Sequence, residues 1–223
     1  MLRKTILFVA GFLLAQSCGF AQNILVGPRI GYTLSTMHVK TGKSLIVDGS
    51  QYDPDKDFHE LGSLHAGADV RIPIEGRFSF LGGFLYAQKG YKAEFGAGVT
   101  GSAQKAEIQL RYFSLPLLAD CRVWKGLYVQ GGFEPGILSA AWLKFNGGRS
   151  DLKAVNVYES FDLGLVAGLE WRIGDGFFLS GRQIWGILPN SELGVTDDNG
   201  TQLGLVQTFN RALEFSAGYR FGL

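Results

Sequence analysis

Cysteine is nearly absent from this sequence, with only Cys18 and Cys121. Two thiols build neither a disulfide scaffold nor a Cys-rich metal site. Histidine is scarce too, at three residues. Neither sign of charge prevails: 21 Lys and Arg stand against 20 Asp and Glu, for a net charge of +1. That balance argues against a basic nucleic-acid binder. Beyond the first 22 residues nothing approaches the roughly 18 consecutive apolar residues of a membrane-spanning helix. The glycines lack the three-residue period of collagen. What the chain does have is 32 Gly, twice the ~7% of average usage. Aromatic residues make up 13% and apolar residues 46%. This apolar content excludes a disordered chain. With so much glycine, it points to many strands and turns.

The first 22 residues read as an export signal. Arg3 and Lys4 give a positive start, Thr5–Ala15 an apolar run of 11 residues, and Gly19 and Ala21 a small-residue cleavage region. The cut falls after Ala21, making residues 1–21 the signal peptide and residues 22–223 the mature domain. Lipoprotein processing at Cys18 is the rival reading, but Gln16 is bulky and polar for a lipobox. Cutting after Ala21 leaves Cys121 as the only thiol, so no intramolecular disulfide can form.

The mature chain alternates with a period of two. From Ile24 to Leu34 the even positions are Ile24, Val26, Pro28, Ile30, Tyr32 and Leu34, while the odd ones are mostly small or polar. Leu64–Ile74 and Phe161–Trp171 split the same way. Such alternation is a half-buried strand and not a helix. Eight segments follow it, near 24–38, 61–74, 78–91, 107–123, 127–139, 159–172, 177–188 and 208–223. Short connections at 75–77, 124–126 and 173–176 alternate with long ones at 39–60, 92–106, 140–158 and 189–207. Short turns at one end and long loops at the other suit an up-and-down meander of transmembrane hairpins. The fourth segment is out of pattern, because Glu107, Gln109 and Arg111 share parity with Phe113, Leu115 and Leu117. Either a bulge lies near Tyr112, or the first part of this strand stands above the membrane.

A repeat of one hairpin sets the register. Asp69-Val70-Arg71, Asp120-Cys121-Arg122 and Glu170-Trp171-Arg172 lie 51 and 50 residues apart, each just before a short turn. The last strand ends Gly218-Tyr219-Arg220-Phe221. Arg71, Arg122, Arg172 and Arg220 therefore fall at one level, with Asp69, Asp120 and Glu170 one pleat above. The same face carries Arg29, Lys89, Glu134, Asp162, Arg182 and Glu214. Charges this dense are buried only as a paired network, since each unpaired ion costs several kcal/mol of desolvation. Arg29, Arg182 and Glu214 lie on strands one, seven and eight, which become neighbours only if the sheet closes.

Period alone does not say which face points outward. The polar face is Gly, Ser and paired charge, and is poor in the Lys and Glu of a solvated surface. The apolar face ends in aromatics, Phe78 with Tyr86 and Phe177 with Trp185, each pair eight residues apart. Eight residues at ~3.3 Å, tilted ~40°, span roughly 20 Å, near the ~25 Å apolar band between two aromatic girdles. Trp171 and Tyr219 join the girdle at the short-turn end. The expected fold is all-β, an eight-stranded antiparallel up-and-down transmembrane barrel with the apolar face on lipid.

The sequence resembles the PorT-like outer-membrane β-barrel family. The likeness rests on His65-Ala66-Gly67, Ile72-Pro73-Ile74 and Leu85-Tyr86-Ala87-Gln88-Lys89-Gly90-Tyr91. It continues in Tyr112-Phe113-Ser114-Leu115-Pro116-Leu117-Leu118, Asp162-Leu163-Gly164-Leu165-Val166-Ala167-Gly168 and Gly218-Tyr219-Arg220-Phe221. It covers essentially the whole mature chain, through the order and spacing of these motifs. It implies an integral protein of the bacterial outer membrane, usually with no known reaction, and in one branch a part in protein secretion. The C-terminus also resembles the signal read by the barrel-assembly machinery, through Gly218, Phe221 and an apolar last residue. It departs by ending in Leu223 instead of an aromatic.

Among candidate sites the Arg–carboxylate tiers read first as a structural plug and second as a narrow ion path. An eight-stranded interior is only wide enough for side chains to fill. Ser63 and His65 share a face, but Asp69 lies too far along the strand to complete a nucleophilic triad, so no enzyme is expected. Asp53-Pro54-Asp55-Lys56-Asp57 opens like a Ca²⁺ loop and fails at Phe58 and Leu64. Asp197-Asp198-Asn199-Gly200 is a plain turn. His38 and His59 flank the first loop without further ligands. The expected protein is a monomer without cofactor. Its partners are outer-membrane lipid, the assembly machinery during biogenesis, and a secretion-apparatus or extracellular partner, with no nucleic acid. Three roles stand open: a structural or interaction barrel acting through its loops, a secretion component, and a narrow channel or transporter.

Overall fold

A computed structural model describes residues 24–41, 46–47, 50–51, 58–95, 104–145, 147–196 and 202–223. The signal-peptide reading, the cut after Ala21 and Cys18 lie outside these residues, as do the Ca²⁺-like sequence Asp53–Asp57 and the turn sequence Asp197–Gly200. The described chain is all-β. Its strands are β1 (Leu25–Thr41), β2 (Ile46–Val47), β3 (Ser50–Gln51), β4 (Phe58–Glu75) and β5 (Phe78–Phe95). They continue with β6 (Gln104–Ser114), β7 (Leu117–Trp124), β8 (Leu127–Phe145), β9 (Gly148–Asp151) and β10 (Phe161–Ile173). The last are β11 (Phe177–Gly186), β12 (Ser191–Thr196), β13 (Gln202–Tyr219) and β14 (Phe221–Gly222).

Apart from β2 and β3, which pair only with each other, and β9, which folds back on β8, these strands form eight antiparallel staves. The fourth is β6 and β7, broken at Leu115-Pro116, where proline withholds a ladder donor. The seventh is β11 and β12, and the eighth β13 and β14. Each stave pairs with the next in the chain, and β13 pairs with β1 from Arg29↔Gly218 to Thr41↔Val206, which closes the ring. Closure leaves no long edge to recruit another chain. At the short turns Gly76 and Gly126 have φ of 58° and 81°, a region that side chains other than glycine rarely enter.

Alternation sorts the two faces as the period requires. Ile30, Leu64, Phe84, Phe133, Leu169 and Phe215 point outward and are exposed, while Arg29, His65, Asp69, Glu134, Glu170 and Glu214 point inward and are buried. The exposed band is a surface for acyl chains and not for water.

The staves run further at the loop end than the period suggests, to Thr41, Phe95 and Phe145, with β4 starting at Phe58. There the two faces exchange character. On β1, Met37 and Val39 turn inward and Lys40 outward. On β6, Ile108, Leu110 and Tyr112 are buried inside, on the same parity as Ser114. The fourth stave thus keeps one parity, and its first part stands above the apolar band. A bulge does lie beside Tyr112, but its extra residue is Ser139 on β8, whose hydroxyl donates to the Arg111 carbonyl at 2.9 Å. Inside the lipid the barrel is apolar outward; above it, it becomes an ordinary water-facing barrel with an apolar interior.

Candidate functional site

The lumen is the chemically dense part of the molecule. Its turn-end tier is organised around Glu170 on β10. Arg220 Nη1 donates to Glu170 Oε1 at 2.6 Å and Nη2 to Oε2 at 2.8 Å, a two-pronged pair. Arg172 Nε reaches the same carboxylate at 3.0 Å, and Gln130 Nε2 at 2.9 Å. Arg220 Nη2 also donates to Asp69 Oδ2 at 2.7 Å, which Arg29 approaches at 3.2 Å. Arg71 pairs with Asp120 at 2.5 Å and donates to Ser79 at 2.9 Å. The guanidiniums of Arg29 and Arg220 share the Phe178 ring, at 5.3 and 3.8 Å from its centroid.

A second tier lies toward the loops. Lys89 Nζ is 3.1 Å from Glu134 and 3.5 Å from Asp162. Asn210 donates to Asp162 at 2.9 Å and accepts from Asn190 at 2.9 Å. Arg182 joins the tiers, since its Nε donates to Gln130 Oε1 at 2.9 Å. His65 ties the closing seam together: Nδ1 lies 2.8 Å from the Thr33 hydroxyl and Nε2 2.8 Å from that of Ser216. Room for these groups comes from missing side chains. A Cβ on Gly31 would overlap the His65 ring, and one on Gly218 the Phe178 ring.

Not every charged candidate joins this web. Arg122 is exposed at the foot of β7. The ladder shifts between Arg122 and Trp124, and the Tyr128 ring opposite is already held by Arg71 and Arg172, at 4.2 and 3.9 Å. Arg182 and Glu214 are cross-strand partners, yet among the described residues Arg182 Nη1 and Nη2 and both Glu214 oxygens find no hydrogen-bond partner. Without Arg122, six cations (Arg29, Arg71, Lys89, Arg172, Arg182, Arg220) face six carboxylates (Asp69, Asp120, Glu134, Asp162, Glu170, Glu214). Among the described residues the interior is formally neutral.

Charge does not fill the whole lumen. Leu81, Leu118, Val166, Ile184 and Ala212 form an apolar cluster within it. Above the second tier, Met37, Ile108, Leu110, Tyr112, Leu138 and Ala141 form another. Residues 152–160 fold back over that cluster, with Leu152 and Tyr158 packed on it. Leu152 N donates to the Ala141 carbonyl at 2.9 Å, and Lys153 Nζ to the Leu138 and Ser139 carbonyls at 3.0 Å. Burial, and then the neighbouring Tyr91, push the Tyr158 hydroxyl above its ordinary pKa. This apolar cap was missed in the sequence; the exchange of faces after Leu34 was the signal that would have found it.

The remaining candidates fall as follows. Ser63 donates to the Gln88 carbonyl at 2.5 Å, away from His65, and Asp69 is held by arginines, so these three do not assemble. Phe78, Trp171, Phe177 and Tyr219 are exposed near the short turns, with Phe177 across from Tyr219. Tyr86 and Trp185 are exposed further up, and the Tyr86 ring lies 5.2 Å from that of Phe113. Gly218 sits between Arg29 and Phe178, Phe221 pairs with Val26, and Leu223 N donates to the Ile24 carbonyl at 3.0 Å. At the loop end a depression of about 600 Å³ is lined by His59, Glu60, Lys92, Lys105, Glu107 and Lys144.

The family model described as outer membrane protein beta-barrel domain matches residues 20–192. No curated protein matches the chain significantly. Among solved structures, the attachment invasion locus protein Ail of Yersinia pestis aligns at 18% identity over 89% of this chain and 99% of its own, with a TM-score of 0.46. Neisserial surface protein A aligns at 10% identity over 89% and 97%, with a TM-score of 0.47. The outer membrane protein OprG of Pseudomonas aeruginosa aligns at 9% identity over 91% and 97%, with a TM-score of 0.44.

Glu170→Ala takes from the buried Arg220 its two-pronged partner, leaving it Asp69 alone, and from the half-buried Arg172 its nearest carboxylate, a loss of about 3–5 kcal/mol. Urea unfolding in detergent micelles measures it. Glu159→Ala, at an exposed loop position, should stay within about 0.5 kcal/mol of the parent.

Proposed function

The chain belongs to the outer membrane protein beta-barrel domain family, and from that premise we propose that it is a sealed, non-enzymatic barrel acting through its loop end. The observation that carries this is the closed interior. A solute would have to separate a neutral ion web, pass an apolar cluster and displace the cap over Leu110 and Tyr112. Each ion left unpaired on that path costs several kcal/mol. The barrel wall is covered by lipid, so a partner meets it at its ends. The loop end offers the mixed-charge depression beside Glu107 and Lys144, suited to a polar or protein partner.

In this reading the chain is a monomer in the membrane and needs no cofactor. The twelve charges are its structural plug, and the outward aromatics from Phe78 to Tyr219 its interfacial girdle. The segment Met1–Ala21 exports it, and mass spectrometry of the mature protein should find Gln22 first. The assembly machinery reads Gly218, Phe221 and Leu223 at its C-terminus. The PorT-like resemblance supports the alternative that its partner is a secretion apparatus; a deletion strain would then lose secreted proteins from the medium.

Planar-bilayer recording separates this from a channel. The purified protein should give no reproducible single-channel steps. Regular, ion-selective steps would overturn the sealed reading and support a narrow channel.

A further inference from the structure

The lumen is neutral because Arg122 is left out of it, and the place where Arg122 goes is itself chemically specific. Its backbone N–H donates to the carbonyl of Arg77, the turn residue just before β5, at 2.8 Å, so two arginines stand opposite one another at the end of the β5–β7 ladder. Like charges so placed repel one another. Among the described residues neither side chain has a partner, and neither does Lys125 in the next turn. The three border one depression of about 390 Å³, completed by Val123, Trp124, Gly126 and Tyr128, with no carboxylate in its wall. Trp124 is 77% exposed and Val123 49%, beside the turn-end girdle that starts at Phe78.

We propose that this turn-end depression binds the phosphate of an anionic inner-leaflet phospholipid between Arg77, Arg122 and Lys125. Guanidinium forks match the paired oxygens of a phosphate, and the ammonium adds a point charge. The short turns of an outer-membrane barrel face the periplasm, which places the site at the inner leaflet. A lipid fits better than a free anion because one wall is apolar. Trp124 and Val123 lie where a glycerol backbone and the start of an acyl chain would rest, the depth at which tryptophan is enriched. The bound phosphate supplies the negative charge that the facing arginines lack.

Lipid titration into the full-length mature protein in uncharged dodecyl maltoside micelles tests this. Dihexanoyl phosphatidylglycerol should bind about tenfold tighter than dihexanoyl phosphatidylcholine, and the preference should shrink as salt rises. The combined Arg77→Gln, Arg122→Gln, Lys125→Gln variant should lose the preference while keeping the heat-dependent gel shift of a folded barrel. Arg122→Gln alone should lose part of it, and Lys92→Gln with Lys144→Gln at the loop end should keep it. Equal binding of the two lipids by the parent protein would overturn the proposal, as would a preference that survives the triple variant. Inorganic phosphate binding as tightly as phosphatidylglycerol would overturn the lipid assignment.

Discussion

Ions confined in a tube only wide enough for side chains must neutralise one another, and much of the structure answers to that constraint. Six cations and six carboxylates share the lumen with neutral polar groups such as Gln130 and Asn210, which bond to them. Arginine supplies five of the cations, and its fork lets one residue serve two carboxylates, as Arg220 does for Glu170 and Asp69. The packing follows from it. Long side chains need room, and glycines such as Gly31 and Gly218 give that room where His65 and Phe178 press in. Closure follows too, because Arg29, Arg182 and Glu214 come together only when β13 meets β1.

The second constraint is the bilayer. Within it the outer face must be apolar, and whatever charge the chain carries turns inward. Above it water covers the outer face, and the rule reverses. The staves make this change without breaking parity: β1 passes from an inward Arg29 to an inward Met37, and β6 from an inward Ser114 to an inward Leu110. The apolar cap under Tyr158 is the core of that water-facing collar. One continuous strand thus obeys two opposite burial rules along its length.

The ends of the barrel differ in charge because the lumen is balanced. The loop end mixes signs, with Glu60 and Glu107 among Lys92, Lys105 and Lys144. At the turn end Arg77, Arg122 and Lys125 line one depression whose wall holds no acid. A cation expelled from a neutral interior is free to take its counter-charge from outside the protein, and the lipid phosphate proposed above would supply it.

The eight staves, the two faces and the charged residues of the inner face were legible in the amino-acid order, because side chains alternate with a period of two and the Asp/Glu-x-Arg repeat marks each turn. Which charges meet was not. Strand stagger sets that: Arg220 finds Glu170 and Asp69 across the lumen, and Arg182 reaches Gln130 while its strand neighbour Glu214 goes unbonded. Arg122 has the same sequence setting as Arg71 and Arg172, yet lies outside. Only the folded chain shows that Tyr128 and a ladder shift close its way in. Local sequence settles parity and face. Position around a closed, staggered ring is a property of all eight staves together, so the pairing of charges belongs to the tertiary structure alone.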